Sequence, residues 1–315
     1  MKKLILSILT TLAVLPVLAA NKYDNPDTLF VSRDGTCEFR TIDEAIEVCR
    51  AFMDYTKVIY VKKGVYKEKL IIPSWLTHIT ICGEDRDQTI ITWDDHANIK
   101  MPTGGLDSEA AVKGKPIGTF RTYTLKVQGS YITLENITIE NNAARLGQAV
   151  ALHTEGDHIL VHNCRLLGNQ DTVYTGVAGT RIAFYDCYIE GTTDFIFGPS
   201  IAWFENCEIH SKSNSYITAA STPAGHPPRL ARGHTGLSGP SMASIRLHTL
   251  HRLRNGQPYP SCRLGQLAQC KQREDRPLLR VRQPWSWRLN QSPCTLDTSA
   301  QQEGSRTHHH RQRLR

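Results

Sequence analysis

The segment His158-Ile-Leu-Val-His-Asn163-Cys-Arg-Leu166 has three counterparts elsewhere in this chain of 315 residues. Each copy has a stretch rich in β-branched and aromatic residues, then Asn or Asp, then Cys or Ile, any residue and an aliphatic residue. This alternation with period two is typical of strands rather than helices. The other copies are Tyr131–Ile139, Arg181–Ile189 and Ile201–Ile209, of which the last has one residue fewer at its start.

The Asn or Asp of each copy keeps its place in the pattern, although the spacing varies. Successive positions are 27, 23 and 20 residues apart, at Asn136, Asn163, Asp186 and Asn206. A fixed phase with variable spacing indicates similar strands joined by loops of different length. Because such units cannot bury an apolar face alone, they stack on one another. The sequence therefore predicts an all-β fold, a solenoid of stacked coils.

One convincing helix is predicted, near residues 41–53. It begins with a capping box formed by Thr41 and Glu44. This helix would close one end of the solenoid, where strand edges would otherwise be exposed. Its apolar positions recur with helical spacing at Ile42, Ala45, Ile46 and Cys49.

Two aspartates lie in short motifs that read as equivalent parts of neighbouring repeats. The motifs are Gly168-Asn-Gln-Asp171-Thr and Gly191-Thr-Thr-Asp194-Phe-Ile-Phe-Gly198, and the aspartates are 23 residues apart. Stacked strands lie about 4.8 Å apart, so one coil of separation places two carboxylates side by side. Such a pair suits acid–base and nucleophilic work on one substrate bond. Since both cannot ionise cheaply, one apparent pKa should rise.

Residues 1–20 are typical of a secretory signal peptide. Lys2 and Lys3 precede a mostly apolar run from Leu4 to Leu18, and Ala19 and Ala20 follow. The alternative is a membrane anchor, but the run is short for a span of about 20 residues. We therefore expect a protein that is secreted or periplasmic and is not held at a membrane once the signal is removed.

The nine cysteines and thirteen histidines show no metal-binding pattern. No CxxC pair or Cys/His cluster has zinc spacing, and His308, His309 and His310 lie in an atypical tail. We therefore expect neither a metal site nor a cofactor. Cys164, Cys187 and Cys207 share one phase of the repeat and are predicted to form a buried interior stack. Export permits disulfides, but the sequence leaves their pairing open.

The net charge of +7 comes from one end of the chain. Residues 224–315 hold 16 Lys and Arg against 4 Asp and Glu, whereas the preceding residues hold 21 against 26. A basic tail on an acidic body is one signature of nucleic-acid binding. We reject nucleic acid as a partner because apolar periodicity ends at Pro223, and the tail does not resemble a sequence selected to fold.

A change of reading frame accounts for the tail. If the codons are read one nucleotide later, Met242-Ala243 must encode Trp, and residues 236–246 become compatible with a β-rich run containing Leu-Gly-Arg-Pro-Trp. Several long matches of this kind occur in the same frame. We therefore infer a frameshift near residues 224–235. The predicted organisation is a signal peptide at 1–20, an incomplete solenoid at 21–223 and an aberrant, unfolded tail at 224–315.

Residues 28–223 resemble the pectin methylesterases. The resemblance rests on both aspartate motifs, on Phe39–Ile46, on Gly64–Glu68 and on Gly147–Leu152. It implies a right-handed parallel β-helix whose C-terminal coils are missing or disrupted here, and an enzyme that removes methyl esters from polygalacturonate. Methylated pectin would be the partner, and the protein is expected to be a monomer. The out-of-frame Leu-Gly-Arg-Pro-Trp segment is also a hallmark of that family.

The resemblance implies a role for each polar residue of these motifs. Asp194 matches the nucleophile that forms an acyl-enzyme, and Asp171 matches the general acid that protonates departing methanol and then activates water. Gln148 and Gln170 match the donors that stabilise the oxyanion. The competing interpretations are a turn aspartate for Asp194, an ordinary strand glutamine for Gln148 and a loop contact for Gln170.

Three aromatic residues near the aspartates are candidates for the walls of a sugar-binding cleft. Aromatic faces stack on sugar rings, but they also fill solenoid cores, so both interpretations stay open for Phe195, Phe197 and Tyr174. A second ambiguity concerns Asn163, Asp186 and Asn206, which together could pass for calcium ligands. Their shared repeat phase favours turn or ladder residues instead.

The chain departs from the family where the Leu-Gly-Arg-Pro-Trp segment should be. In the family its Arg holds the nucleophilic carboxylate and its Trp borders the sugar, and neither is present in frame. We therefore expect impaired activity, since orienting a buried carboxylate is typically worth several kcal/mol. Two alternatives remain: a pectate lyase or polygalacturonase on the same solenoid, and a non-catalytic or pseudogene product.

Overall fold

The computed structural model describes residues 21–101 and 114–223, and the backbone of residues 229–230 and 236–238. Its first half contains, in chain order, β1 Leu29–Val31, α1 Ile42–Glu47, β2 Lys57–Val61, β3 Gly64–Lys67, β4 Leu70–Ile72, β5 Ile79–Gly83, β6 Thr89–Trp93, a 3-10 turn at Thr119–Arg121, β7 Leu125–Val127, β8 Thr133–Glu135, β9 Thr138–Asn141 and β10 Leu152–Thr154. The second half contains β11 Ile159–His162, β12 Arg165–Leu167, β13 Val173–Thr175, β14 Arg181–Tyr185, β15 Tyr188–Gly191, β16 Ile196–Gly198, β17 Ile201–Glu205, β18 Glu208–Ser211, β19 Thr218–Ala220, β20 Arg229–Leu230 and β21 Gly236–Ser238.

Six coils, from β2–β4 to β17–β19, each contribute one strand to each of three parallel sheets, while β1 joins only the first sheet and β20 and β21 join the first and second. The first sheet has the order β1-β2-β5-β8-β11-β14-β17-β20, the second runs from β3 through β6, β9, β12, β15 and β18 to β21, and the third runs from β4 through β7, β10, β13 and β16 to β19. Every neighbour in a sheet therefore comes from the next coil. This arrangement confirms the predicted parallel β-helix.

The core is a stack of in-register apolar side chains. Along the first sheet, strand pairing aligns Ile59, Ile81, Leu134, Val161, Phe184 and Phe204. All six are at most 1% exposed. Burial of one such side chain contributes about 1.5–3 kcal/mol to the free energy of folding. Because these side chains pack between successive coils, each coil is stabilised mainly by its two neighbours.

The Asn or Asp position that every repeat copy shares lies at the corner between the first and second sheets. Asn136, Asn163, Asp186 and Asn206 all have positive φ there, between 48° and 55°. Asn163 Nδ2 donates to Asn136 Oδ1 at 2.7 Å, and Asn206 Nδ2 donates to Asp186 Oδ1. These side-chain hydrogen bonds agree with the prediction of turn or ladder residues. Within the described residues, no group of three or more His, Cys, Asp or Glu side chains could hold a metal ion.

The predicted cysteine stack is also present. Cys164, Cys187 and Cys207 are at most 2% exposed, one on each of three successive coils. The Sγ of each donates to a main-chain carbonyl of the preceding coil, at 3.4–3.5 Å. Burial raises the pKa of the Cys164 thiol to about 12, so that side chain acts as a small apolar core residue.

The helix is shorter than predicted. The capping box of Thr41 and Glu44 is confirmed, but α1 ends at Glu47 rather than near Met53. The Cys49 N–H bonds to the Ile46 carbonyl at 3.1 Å, which tightens the last turn, and Phe52 adopts a φ of 53° that no helix tolerates. The helix still buries Ile42, Ala45 and Ile46 against the first coils.

Two short strands lie beyond Pro223. β20 extends the first sheet and β21 extends the second. These five residues do not test the prediction that residues 224–315 form an aberrant, unfolded tail, which stays a prediction. The rest of that range, and the predicted signal peptide at residues 1–20, lie outside the described residues. No helix in the described part is both long enough and apolar enough to span a membrane.

We expect His162 to stabilise the coil stack below neutral pH. Its Nδ1 lies 3.1 Å from Glu135 Oε1 and its Nε2 lies 3.3 Å from Asp186 Oδ2. The hydrogen bond with Glu135 raises the pKa of His162. A raised folded-state pKa gives stability that is fully present below the ordinary pKa and is lost as pH rises through the folded value. His162→Gln should therefore lower the free energy of unfolding by about 1–2 kcal/mol near pH 5.5, and by much less near pH 9.

Denaturant unfolding at both pH values would measure this difference. His96→Gln serves as the control, because His96 is half-buried but forms no ion pair among the described residues. An equal loss of stability at both pH values in His162→Gln would contradict the role of its charge.

Candidate active site

Three successive turns between the second and third sheets carry the four predicted polar residues. Gln148 precedes β10, Gln170 and Asp171 precede β13, and Asp194 precedes β16. Backbone hydrogen bonds stack these turns: the Ala149 N–H donates to the Gln170 carbonyl at 3.0 Å, and the Asp171 N–H donates to the Thr193 carbonyl at 3.2 Å. The structure therefore brings the four residues into one region.

Strand register sets the two aspartates opposite one another. Val173 pairs with Ile196, and counting back two residues on each strand aligns Asp171 with Asp194. Both have positive φ, 67° and 49° respectively. Asp and Asn tolerate this left-handed conformation better than most residues. Replacement of either by Asn therefore removes the charge without adding backbone strain.

The environment of Asp171 disfavours its charged form. Its side chain is 7% exposed. Burial, and secondly the nearby charge of Asp194, raise the pKa of Asp171 to about 7. Within the described residues, neither aspartate side chain accepts a hydrogen bond or pairs with a cation. At neutral pH the pair therefore holds a substantial fraction of one proton on Asp171.

Gln148 and Gln170 are both partly exposed. Neither side-chain amide is hydrogen-bonded to another described residue. Both amides are therefore free to donate to an oxygen that develops charge beside the carboxylates.

Aromatic side chains lie on the outer face of the third sheet, beside these turns. Tyr174 pairs in register with Phe197, and their ring centroids are 4.7 Å apart. Both rings are partly exposed, as a cleft wall requires. Phe195 is different. It is 0% exposed and belongs to the core, because its side chain points inward, so the expectation that it flanks the cleft is wrong.

Two further residues that contact the Tyr174 ring could not be identified from the sequence motifs. Phe120 is 54% exposed and its ring lies 4.9 Å from that of Tyr174. It sits in the long connection between β6 and β7, where no periodicity marks it, although long connections often carry function. His153 pairs in register with Tyr174, and its ring lies 4.7 Å away. The register of β10 and β13 was the signal that could have identified it.

A partly buried charge group borders the aromatic surface. Burial alone would raise the pKa of Glu155, but hydrogen bonds from Lys126, Gln128 and His153 outweigh it and lower the pKa to about 2. Burial, and then the charge of Lys126, lower the pKa of His153 to about 4. His153 is therefore neutral at physiological pH, and Glu155 is a fixed anion with a cation, Lys126, at 2.9 Å.

We expect Asp171 to lower stability as the pH rises. A carboxyl with a raised folded-state pKa holds a proton that the unfolded chain has already released, so the free energy of unfolding falls between about pH 4 and pH 7. Asp171→Asn mimics the protonated group. This variant should therefore be more stable than the parent chain by roughly 2–4 kcal/mol near pH 8, and about equal to it near pH 4.

Chemical unfolding as a function of pH would test this expectation. Asp94→Asn is the matched control, because Asp94 is 53% exposed and pairs with Lys67 at 3.0 Å. If Asp171→Asn and Asp94→Asn gave the same pH dependence as the parent, the burial of the Asp171 charge would carry no energetic weight.

Comparisons with known proteins agree with the geometry. The pectinesterase family model matches residues 28–226 of this chain. Pectinesterase 31 of Arabidopsis thaliana is 36% identical over 192 residues, which are 61% of this chain and 58% of that protein.

Solved structures show the same fold. The pectin methylesterase from carrot has 27% identity and a TM-score of 0.58, covering 70% of this chain and 64% of its own. A pectin methylesterase in complex with a hexasaccharide has 27% identity and a TM-score of 0.54, covering 69% and 66%. The chain thus spans less than two thirds of each of these relatives.

Proposed function

Because this chain belongs to the pectinesterase family, we propose that it removes methyl esters from pectin by hydrolysis. The substrate would be methylated polygalacturonate, and the products would be methanol and a free uronate. A relative has been solved with a bound hexasaccharide, which supports an oligosaccharide substrate. The row of Tyr174, Phe197 and Phe120 beside the aspartates supplies aromatic faces that suit sugar rings.

The proposed reaction divides the work between the two carboxylates. Asp194, as carboxylate, attacks the C6 ester carbonyl, and the tetrahedral intermediate collapses to an acyl-enzyme as the methoxy group leaves. Asp171 gives its proton to the departing methoxy oxygen, which leaves as methanol. The ionised Asp171 then takes a proton from water, whose oxygen attacks the acyl carbon and releases Asp194. Gln148 and Gln170 donate to the oxyanion in both steps.

The observation that carries this proposal is the environment of Asp171. A buried carboxyl with a pKa raised to about 7, one coil from a second carboxylate, suits a group that gives and retakes a proton near neutral pH. The same environment makes Asp194 the better candidate for the nucleophile, because it is more exposed than Asp171.

Within the described residues no Lys or Arg pairs with either aspartate, whereas the aromatic row of Phe120, Tyr174 and Phe197 is present. This combination favours a second candidate function, which is binding of pectin without turnover. An unpaired, partly buried carboxylate is poorly oriented for attack. We propose that this chain is impaired relative to its family. Saturable pectin binding with no release of methanol would establish the second candidate.

Two proposals rest on the sequence alone. Residues 1–20 direct export, so the protein acts outside the cytoplasm. The residues from about 224 onward are read in a shifted frame, which removes the family's Arg and Trp. Resequencing the codons for residues 220–240 tests the second proposal directly, and N-terminal sequencing of the exported protein tests the first.

We expect a frame-corrected protein to release methanol from methylated pectin with no added metal. The proposed chemistry uses only carboxylates and amides, so a chelator should leave the rate unchanged. Methanol release and polymer length would be followed together. Loss of activity in chelator that calcium restores, or cleavage of the polymer, would contradict the esterase and favour a lyase.

The two aspartates should respond differently to substitution in the frame-corrected protein. Asp194→Asn should abolish turnover because a nucleophile cannot be bypassed. Asp171→Asn should leave a residual rate, since a general acid typically contributes about 10²–10⁴-fold. Steady-state methanol release would measure both. Near-normal turnover in Asp194→Asn would show that the roles are assigned wrongly.

A further inference from the structure

Lys212 makes contacts that join the two aspartate motifs. It follows β18 directly, on the coil after the one that carries Asp194. Its backbone N–H donates to the Gly191 carbonyl at 2.8 Å. Its side chain reaches back a further coil, where Nζ donates to the Gly168 carbonyl at 2.8 Å. One residue therefore bonds to the main chain of two different turns.

The two glycines occupy equivalent places in the two motifs. Gly168 lies three residues before Asp171, and Gly191 lies three residues before Asp194. A Cβ at Gly168 would lie 2.6 Å from Thr172 Oγ1, and one at Gly191 would lie 2.6 Å from the Asn169 carbonyl oxygen. Both turns are therefore tightly packed beside these glycines, so a shift at Gly168 is transmitted along its short turn.

Glu190 completes the arrangement on the coil between. Its Oε1 lies 3.1 Å from Lys212 Nζ, and its main-chain carbonyl accepts from Thr172 Oγ1 at 2.9 Å. Lys212 is 28% exposed and Glu190 is 21% exposed, so the ion pair is shielded better than a typical surface pair. Lys212 thereby reaches a coil two removed from its own, whereas Asn169 and Thr172 bond only to the coils directly next to theirs.

We propose that Lys212 is a positioning residue that sets the separation of the Asp171 and Asp194 carboxylates. The purpose of that separation rests on the proposed ester hydrolysis, but the positioning itself does not. The Lys212 side chain acts through the Gly168 carbonyl and not through its charge on Asp171, because burial and Asp194 account for the environment of that carboxyl. Without Lys212 the turn of residues 168–172 loosens, water reaches Asp171, and the two carboxylates separate.

The test uses the full chain and needs no turnover. Carbonyl ¹³C NMR of aspartate-labelled protein follows the titration of Asp171, and the signal is assigned by its absence in Asp171→Asn. In the parent chain the midpoint should lie near 7. In Lys212→Met we expect it to fall by about one unit or more, which is a tenfold or larger rise in the acid dissociation constant. Lys212→Arg, which retains a donor of similar reach, should restore the midpoint largely.

The control is Lys62→Met. Lys62 has a similar exposure of 30% and one carboxylate partner, Glu84 at 3.5 Å, but it lies on the early coils. Thermal unfolding of both variants separates a local effect from a general loss of stability. An unchanged Asp171 midpoint in a folded Lys212→Met variant would overturn the proposal, whatever its thermal stability.

If Lys212→Met does not fold, Glu190→Gln gives the same information. This change weakens the anchoring of Nζ and keeps the side-chain shape, so a lowered Asp171 midpoint would support the proposal and an unchanged midpoint would refute it. Failure of the esterase proposal has a different signature: no methanol would be released by the frame-corrected protein, while the Asp171 titration would still respond to Lys212.

Discussion

The hydrogen bonding of each coil to the next is the constraint on which the structure depends. Every strand pairs in parallel with the equivalent strand one coil away, so like residues fall above like residues throughout the stack. The same constraint produces the aliphatic core, the Asn corner ladder and the cysteine stack. It also produces the juxtaposition of Asp171 and Asp194, since one alignment of β13 with β16 decides where both turns begin.

The repeating parts of the fold were predictable from sequence, because aligning the repeat copies shows which residues of neighbouring coils lie next to one another. The solenoid, the corner ladder, the buried cysteines and the proximity of the two aspartates all follow from the positions that these residues occupy within the repeat. The length of α1 was not predictable in this way. Its apolar spacing continues to Cys49, but backbone geometry at Cys49 and Phe52 ends the helix earlier.

The directions of the side chains at the site do not follow from the sequence pattern. Phe195 and Phe197 both follow Asp194 closely, yet only Phe197 faces outward, because the turn into β16 points both Phe195 and Ile196 inward and breaks strict alternation. Phe120 belongs to a connection with no repeat phase. The contacts of Lys212 cross 44 residues of sequence. Each of these depends on loop conformation, and pattern alone carries no information about it.

The described polar residues of the proposed site lie between Gln148 and Lys212, on coils that precede β20 and β21. The capped end built around α1 is synthesised before them and offers a finished edge on which later coils can add one at a time. The described polar residues of the proposed site can therefore be in place before the last strands of the stack are made.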